Sequence, residues 1–175
     1  MLRLVHTDSN DPDFQSLVAL LDRCLAGIDG DEHAFYAQFS KVANLNHVVV
    51  AYLNDEPVGC GAFKPYAAET VEIKRMFVQP AHRGQGVARA VLAALEQWAA
   101  ELDYAGCVLE TGQRQATAIA LYQRNGYART PNGQYVGIEN SVCLAKTLAR
   151  PWRGAPGANH FMANFVVDFR CPTGY

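Results

Sequence analysis

Arg83-Gly84-Gln85-Gly86-Val87-Ala88 is the stretch whose residue types and spacing are best suited to chemistry. It stands between the apolar run Met76-Phe77-Val78 and a helical periodicity that runs from Gly86 to Leu102. A strand, a glycine-interrupted turn and a helix start leave several backbone N–H groups without intrachain partners and aimed one way, which is a cradle for an anion. The same six residues also suit a plain crossover whose glycines only reverse the chain, and taken alone they leave both readings open. Commoner sites lose support. No P-loop lysine pattern is present, Arg89 stands where G-x-G-x-x-G needs its last glycine, and neither G-x-S-x-G nor H-E-x-x-H occurs. The five histidines show no ligand spacing, so no metal is expected, and His82 beside the turn reads as a solvated loop residue.

The elements that must position this turn follow from periodicity. Leu2 to Val5 forms a short strand, and Asp11-Pro12 supplies a cap and a first-turn proline for a helix. Its apolar stripe is Phe14, Leu17, Val18, Leu21, Leu25 and Ile28, ended by Gly27 and Gly30. A weaker helical stretch over Glu32 to Val42 puts Phe35, Phe39 and Val42 on one face, either as a pocket wall or as plain packing. His47 to Leu53 and Val58 to Lys64 are strands joined by Asn54-Asp55-Glu56-Pro57 as a hairpin turn.

The strand over Val71 to Val78 is the informative one. Val71 and Ile73 share one parity and Met76 and Val78 the other, so the inward face changes near Lys74-Arg75. A β-bulge would do that and would leave backbone groups free for another partner; burial of both faces is the other reading. After the turn, Val87, Val91, Leu95, Trp98 and Leu102 line one helical stripe, and Asp103 to Gly106 break it. Cys107 to Glu110 is a short strand, Gln115 to Asn125 a helix stopped by Asn125-Gly126, and Tyr127 to Thr130 and Ser141 to Leu148 the closing strands. This alternation implies right-handed crossovers and a stretch of parallel pairing.

Composition bounds the rest. The 175 residues suit one domain, half of them are hydrophobic, and a net charge of -2 gives no basic surface for nucleic acid. No stretch reaches the roughly 20 apolar residues of a membrane span, so no membrane partner and a cytoplasmic location are expected. Cys24, Cys60, Cys107, Cys143 and Cys171 include no C-x-x-C pair and read as reduced residues, mostly of the core. From Arg150 the composition is that of a linker, followed by a strand-like run over His160 to Phe169. This extension, residues 149–175, would add an edge strand, mediate self-association into a homodimer, or lie on the surface.

Three segments in register carry a resemblance. Glu72-Ile73-Lys74-Arg75-Met76-Phe77-Val78, the R-G-Q-G-V-A turn, and Ala118-Ile119-Ala120-Leu121-Tyr122-Gln123-Arg124-Asn125-Gly126-Tyr127 together resemble the GCN5-related N-acetyltransferase (GNAT) family. The turn's signature is short by itself, but in register with the other two segments it is specific. The resemblance covers roughly residues 45 to 148. It implies an α/β fold over residues 1–148: a mixed, twisted sheet of about six or seven strands flanked by helices, with a β-bulge in its central strand.

The resemblance further implies acetyl-CoA as co-substrate and direct acetyl transfer to a primary amine of a small molecule or peptide. The pyrophosphate would lie on the N–H groups of Gly84, Gln85, Gly86, Val87 and Ala88, with Arg83 at the edge. The backbone around Met76, Phe77 and Val78 would meet the pantetheine arm and the thioester carbonyl. An amine must lose a proton before attack, and the departing thiolate is better expelled if protonated. Tyr122 matches the family's general acid, although a core aromatic at helical spacing would look the same. Glu72 stands where the histone-acetylating branch has its glutamate, and Glu110 is the second candidate base; many members use a water chain instead. Gln115 departs from the asparagine that relatives often carry there, keeping the amide on a longer arm. Lys64, Arg114 and Arg129 could pair with a carboxylate of the acceptor and Glu139 with its amine, but each reads first as a surface charge. The alternative from another class is a non-catalytic acyl-CoA-binding or sensing module.

Overall fold

The computed structural model describes residues 1–29, 45–131 and 141–149. The element order is β1 (Leu2–Thr7), α1 (Pro12–Asp29), β2 (His47–Leu53), β3 (Glu56–Ala67), β4 (Thr70–Val78), a 3-10 turn (Pro80–His82), α2 (Val87–Glu101), β5 (Gly106–Gly112), α3 (Ala116–Arg124), β6 (Ala128–Arg129) and β7 (Ser141–Thr147). The strands form one mixed sheet in the order β1-β2-β3-β4-β5-β7-β6. The helix expected over 32–42 and the strand-like run of the extension lie outside the described residues, as does Cys171.

α1 begins as the sequence demands. Phe14 N–H donates to Asp11 Oδ1 at 2.9 Å, and Pro12, which has no N–H to lose, opens the helix. Phe14, Leu17 and Val18 are buried against Val48, Val50, Cys60, Ala62 and Phe77, so α1 covers one face of β2 to β4. α2 covers the other face, where Val87, Val91, Leu92 and Leu95 pack with Val49, Phe63, Val71, Ile73 and Leu109. Leu102, expected on the α2 stripe, is instead 45% exposed, because the helix ends at Glu101 and the chain turns away through Asp103 at φ +69°.

The β2–β3 hairpin is tighter than expected. Asn54 and Asp55 take φ of +50° and +63° and close it in two residues, since both side chains tolerate the left-handed region. Strand pairing therefore reaches Glu56, opposite Leu53, and Pro57 joins β3 beside a bulge at Ala51/Tyr52. Tyr127 lies buried in the core just before β6, which is correspondingly shorter than the strand expected there.

Of the two readings of its parity, β4 shows the bulge. Ala62 pairs with Lys74 and Cys60 with Phe77, so Gly61 faces two residues, Arg75 and Met76. Arg75 takes φ +58°, and Met76 and Val78 thereby return to the α2 side that Val71 and Ile73 occupy. Beyond this, β4 and β5 run parallel but pair only through Thr70, Val71 and Glu72 with Gly106, Cys107 and Val108. Past that rung the two strands part, and the sheet forks.

Candidate active site

The fork sets where ligand chemistry can occur. Because β4 and β5 are parallel, the segments that follow them leave from the same edge of the sheet: the Arg83–Ala88 turn after β4 and α3, with Tyr122, after β5. Clefts at the carboxyl ends of diverging strands are where α/β sheets bind ligands. Ile73, Lys74, Phe77 and Val78 pair with β3 along one edge of β4, around the Arg75–Met76 bulge, and the β5 ladder stops at Glu72 on the other edge. The backbone of Met76, Phe77 and Val78 therefore faces the cleft without a β5 partner.

The turn has the shape of a cradle. Gly84 and Gly86 take φ of +76° and +81°, and a Cβ built on either would meet nothing within 4 Å. These glycines answer a conformational demand and leave open space in front of the backbone. Gly86 caps α2, and the first backbone bond into the helix is Ala90 N–H to Gly86 O at 3.0 Å, so the N–H groups of Gly86 to Arg89 are the helix's unpaired amino-terminal donors. Arg83 Nε donates to Val78 O at 3.1 Å, which ties the turn back to the end of β4. Open space before aligned donors at a helix's positive end fits the pyrophosphate of an acyl-CoA.

The remaining candidates divide between the two faces of the sheet. Glu72 alternates with Val71 and Ile73 and so faces the α1 side; it is 1% exposed and ion-paired with Lys74 Nζ at 3.0 Å and Lys64 Nζ at 3.2 Å. Lys64 is thus a partner of Glu72 across the β3–β4 pair, which its strand position opposite Glu72 explains. Glu110 lies two residues beyond Val108, the rung partner of Glu72, and so shares that face, opposite Cys143. Burial raises the Cys143 thiol pKa, and the charges of Glu110 and Glu72 add to the effect.

Tyr122 packs in the α2-side cluster, with its ring 5.7 Å from that of Tyr127 in an edge arrangement. Burial pushes its phenol pKa upward, so it holds its proton throughout the neutral range. Gln115 caps α3 through its backbone: its carbonyl accepts from Ile119 N–H at 3.0 Å, and its side chain makes no capping bond. The fork brings the turn, the β4 backbone and α3 to one edge. It leaves the glutamates and the tyrosine on opposite faces of the sheet.

The Acetyltransferase (GNAT) family pattern matches residues 14–127, from α1 through the turn to Tyr127. The chain belongs to the GNAT family. An IAA acetyltransferase of Azospirillum brasilense is 38% identical to this GNAT chain over 138 residues, which is 75% of the chain and 88% of that relative. A Klebsiella pneumoniae structure assigned as an acyl-CoA N-acyltransferase is 31% identical, with a TM-score of 0.71 over 85% of this chain and 99% of its own. A GNAT acetyltransferase from Elizabethkingia anophelis with acetyl-CoA bound has a TM-score of 0.62 over 84% of this chain and 98% of its own; at 20% identity that likeness shows the fold.

Two parts of this GNAT site were not foreseen from the sequence. One is the pairing of Glu72 with both lysines, for which the shared parity of Glu72 and Lys74 was an available signal. The other is the contact of Arg75 with Asp22, 53 residues away, for which the sequence carries no local signal.

Proposed function

We propose that this GNAT protein moves the acetyl group of acetyl-CoA directly to a primary amine of a small molecule or peptide. The observation that carries the reading is the fork: a glycine cradle at a helix start, a bulged stretch of β4 with no β5 partner and a buried tyrosine all follow the carboxyl ends of β4 and β5. When bound, acetyl-CoA supplies an activated acyl group as a thioester. Gly84 to Ala88 hold its pyrophosphate, and the N–H groups along Met76 to Val78 polarise the thioester carbonyl. Holding donor and amine together supplies much of the acceleration, with no covalent enzyme intermediate.

Tyr122 keeps its proton at neutral pH and gives it to the departing sulfur. An amine's proton leaves toward the carboxylates on the α1-side face. Glu110, half-buried, has easier access than Glu72, which is 1% exposed and held by two lysines. The test is release of free CoA thiol from acetyl-CoA across amino acids, polyamines, aminoglycosides, peptides and IAA. Release with at least one amine is expected. Acetyl-CoA binding with no release on any acceptor would favour a sensing module, and no binding would remove both readings.

A further inference from the structure

We propose that Arg75 and Asp22 are a positioning pair that holds the β4 bulge in the form that presents the Met76, Phe77 and Val78 backbone to the acyl donor, a role that rests on the acetyltransferase reading above. Arg75 lies within the bulge at φ +58°, a conformation that a residue with a Cβ keeps only when its surroundings enforce it. A strand's side chains alternate with a period of two. A regular ladder through this segment would therefore turn Met76 and Val78 toward α1 and Phe77 toward α2. The bulge thus decides which backbone and side-chain surfaces the fork displays.

The contacts on the bulged form are specific. The Arg75 side chain is 6% exposed, and its Nη1 lies 2.7 Å from Asp22 Oδ1 on α1. The Arg75 carbonyl accepts from Cys60 Sγ at 3.5 Å. Opposite the bulge, Gly61 has no side chain and so leaves the space that Met76 Sδ fills. Returning Arg75 to a regular register would draw its guanidinium away from Asp22 and leave a buried charge without its carboxylate. Bulge and ion pair therefore stand together, and α1 acts on the donor site through the backbone of β4.

The test uses the full chain carrying Asp22→Asn, Asp22→Glu, Arg75→Ala and the double change Asp22→Asn/Arg75→Ala. The readouts are steady-state kinetics with acetyl-CoA and the preferred acceptor, CoA affinity, and the amide NMR shifts of Lys74 to Val78. Asp22→Asn should move those amides and lower kcat tenfold or more, while CoA affinity, set by the glycine cradle, stays within threefold. Asp22→Glu should recover at least half of kcat, and the double variant should be no slower than Arg75→Ala alone. Unmoved amides in Asp22→Asn, losses that multiply in the double variant, or no recovery with glutamate would overturn the proposal. If the wild type neither binds nor turns over acetyl-CoA, the functional reading fails, and the amide shifts still decide whether Asp22 holds the bulge.

Discussion

Gly59 lies so close against Phe77 that a Cβ on it would stand 2.9 Å from the Phe77 carbonyl oxygen, in the strand segment that faces the fork. Gly61, two residues on, would instead press its Cβ onto side chains: Met76 Sδ, and Leu95 Cδ1 and Val91 Cγ1 at 2.9 Å each. Side-chain ends can turn aside, whereas a backbone carbonyl in a ladder cannot move without its strand. Each alanine substitution should lower stability by about 1–3 kcal/mol in chemical denaturation. Gly59→Ala should also cost turnover beyond its stability loss, and equal turnover in the two variants would count against a role for the Phe77 backbone.

Gly86→Ala isolates the cradle. At φ +81° with open space around it, an alanine meets no clash, and the cost is the left-handed backbone alone, about 1–2 kcal/mol. Much of that would fall on the bound form, because the N–H groups of Gly86 to Arg89 keep their common aim only in this turn. CoA affinity measured by titration calorimetry should fall roughly tenfold. Unchanged affinity would show that the pyrophosphate sits elsewhere.

Tyr122→Phe removes a hydroxyl while keeping the ring that packs on Tyr127. Turnover should drop by about 10²-fold or more, the usual range for a lost general acid, with CoA affinity unchanged. If turnover matches the wild type, Tyr122 is a core aromatic and the thiolate leaves unassisted.

What could be read from the chain alone was what local rules decide. The Asp11-Pro12 cap, the α2 stripe as far as Trp98 and the bulge near Lys74-Arg75 each follow from neighbours in sequence, and each stands in the structure. In sequence the two-residue Asn54-Asp55 turn looks four residues long, because Glu56 and Pro57 are turn formers and only the positive φ of the first two residues shortens it. The fork was not legible, since it depends on where two strands from different parts of the chain stop pairing after Glu72 and Val108. Sequence distance likewise hid Asp22 from Arg75, its ion-pair partner on α1.

A pH dependence of stability follows from two histidines in the aromatic layer between β1, β2 and α2. His6 stacks on Trp98 at 4.2 Å and His47 on Phe63 at 4.4 Å. Burial lowers both pKa values, with Glu101 partly opposing this at His6. The unfolded chain therefore takes up protons near pH ~6.5, before the folded chain does. Stability should be full above that pH and fall as pH drops through the lowered folded values. Urea denaturation at pH 7.5 and 5.5 checks this, and His6→Phe/His47→Phe should flatten the difference.

The central claim is acetyl transfer to an amine, and mass spectrometry of the acceptor after incubation with trideuteroacetyl-CoA tests it most directly. The expected result is an acceptor heavier by one labelled acetyl group on nitrogen, formed in step with free CoA and formed more slowly by the Tyr122→Phe protein. Label that stays on CoA, or that appears only on the protein itself, would contradict it.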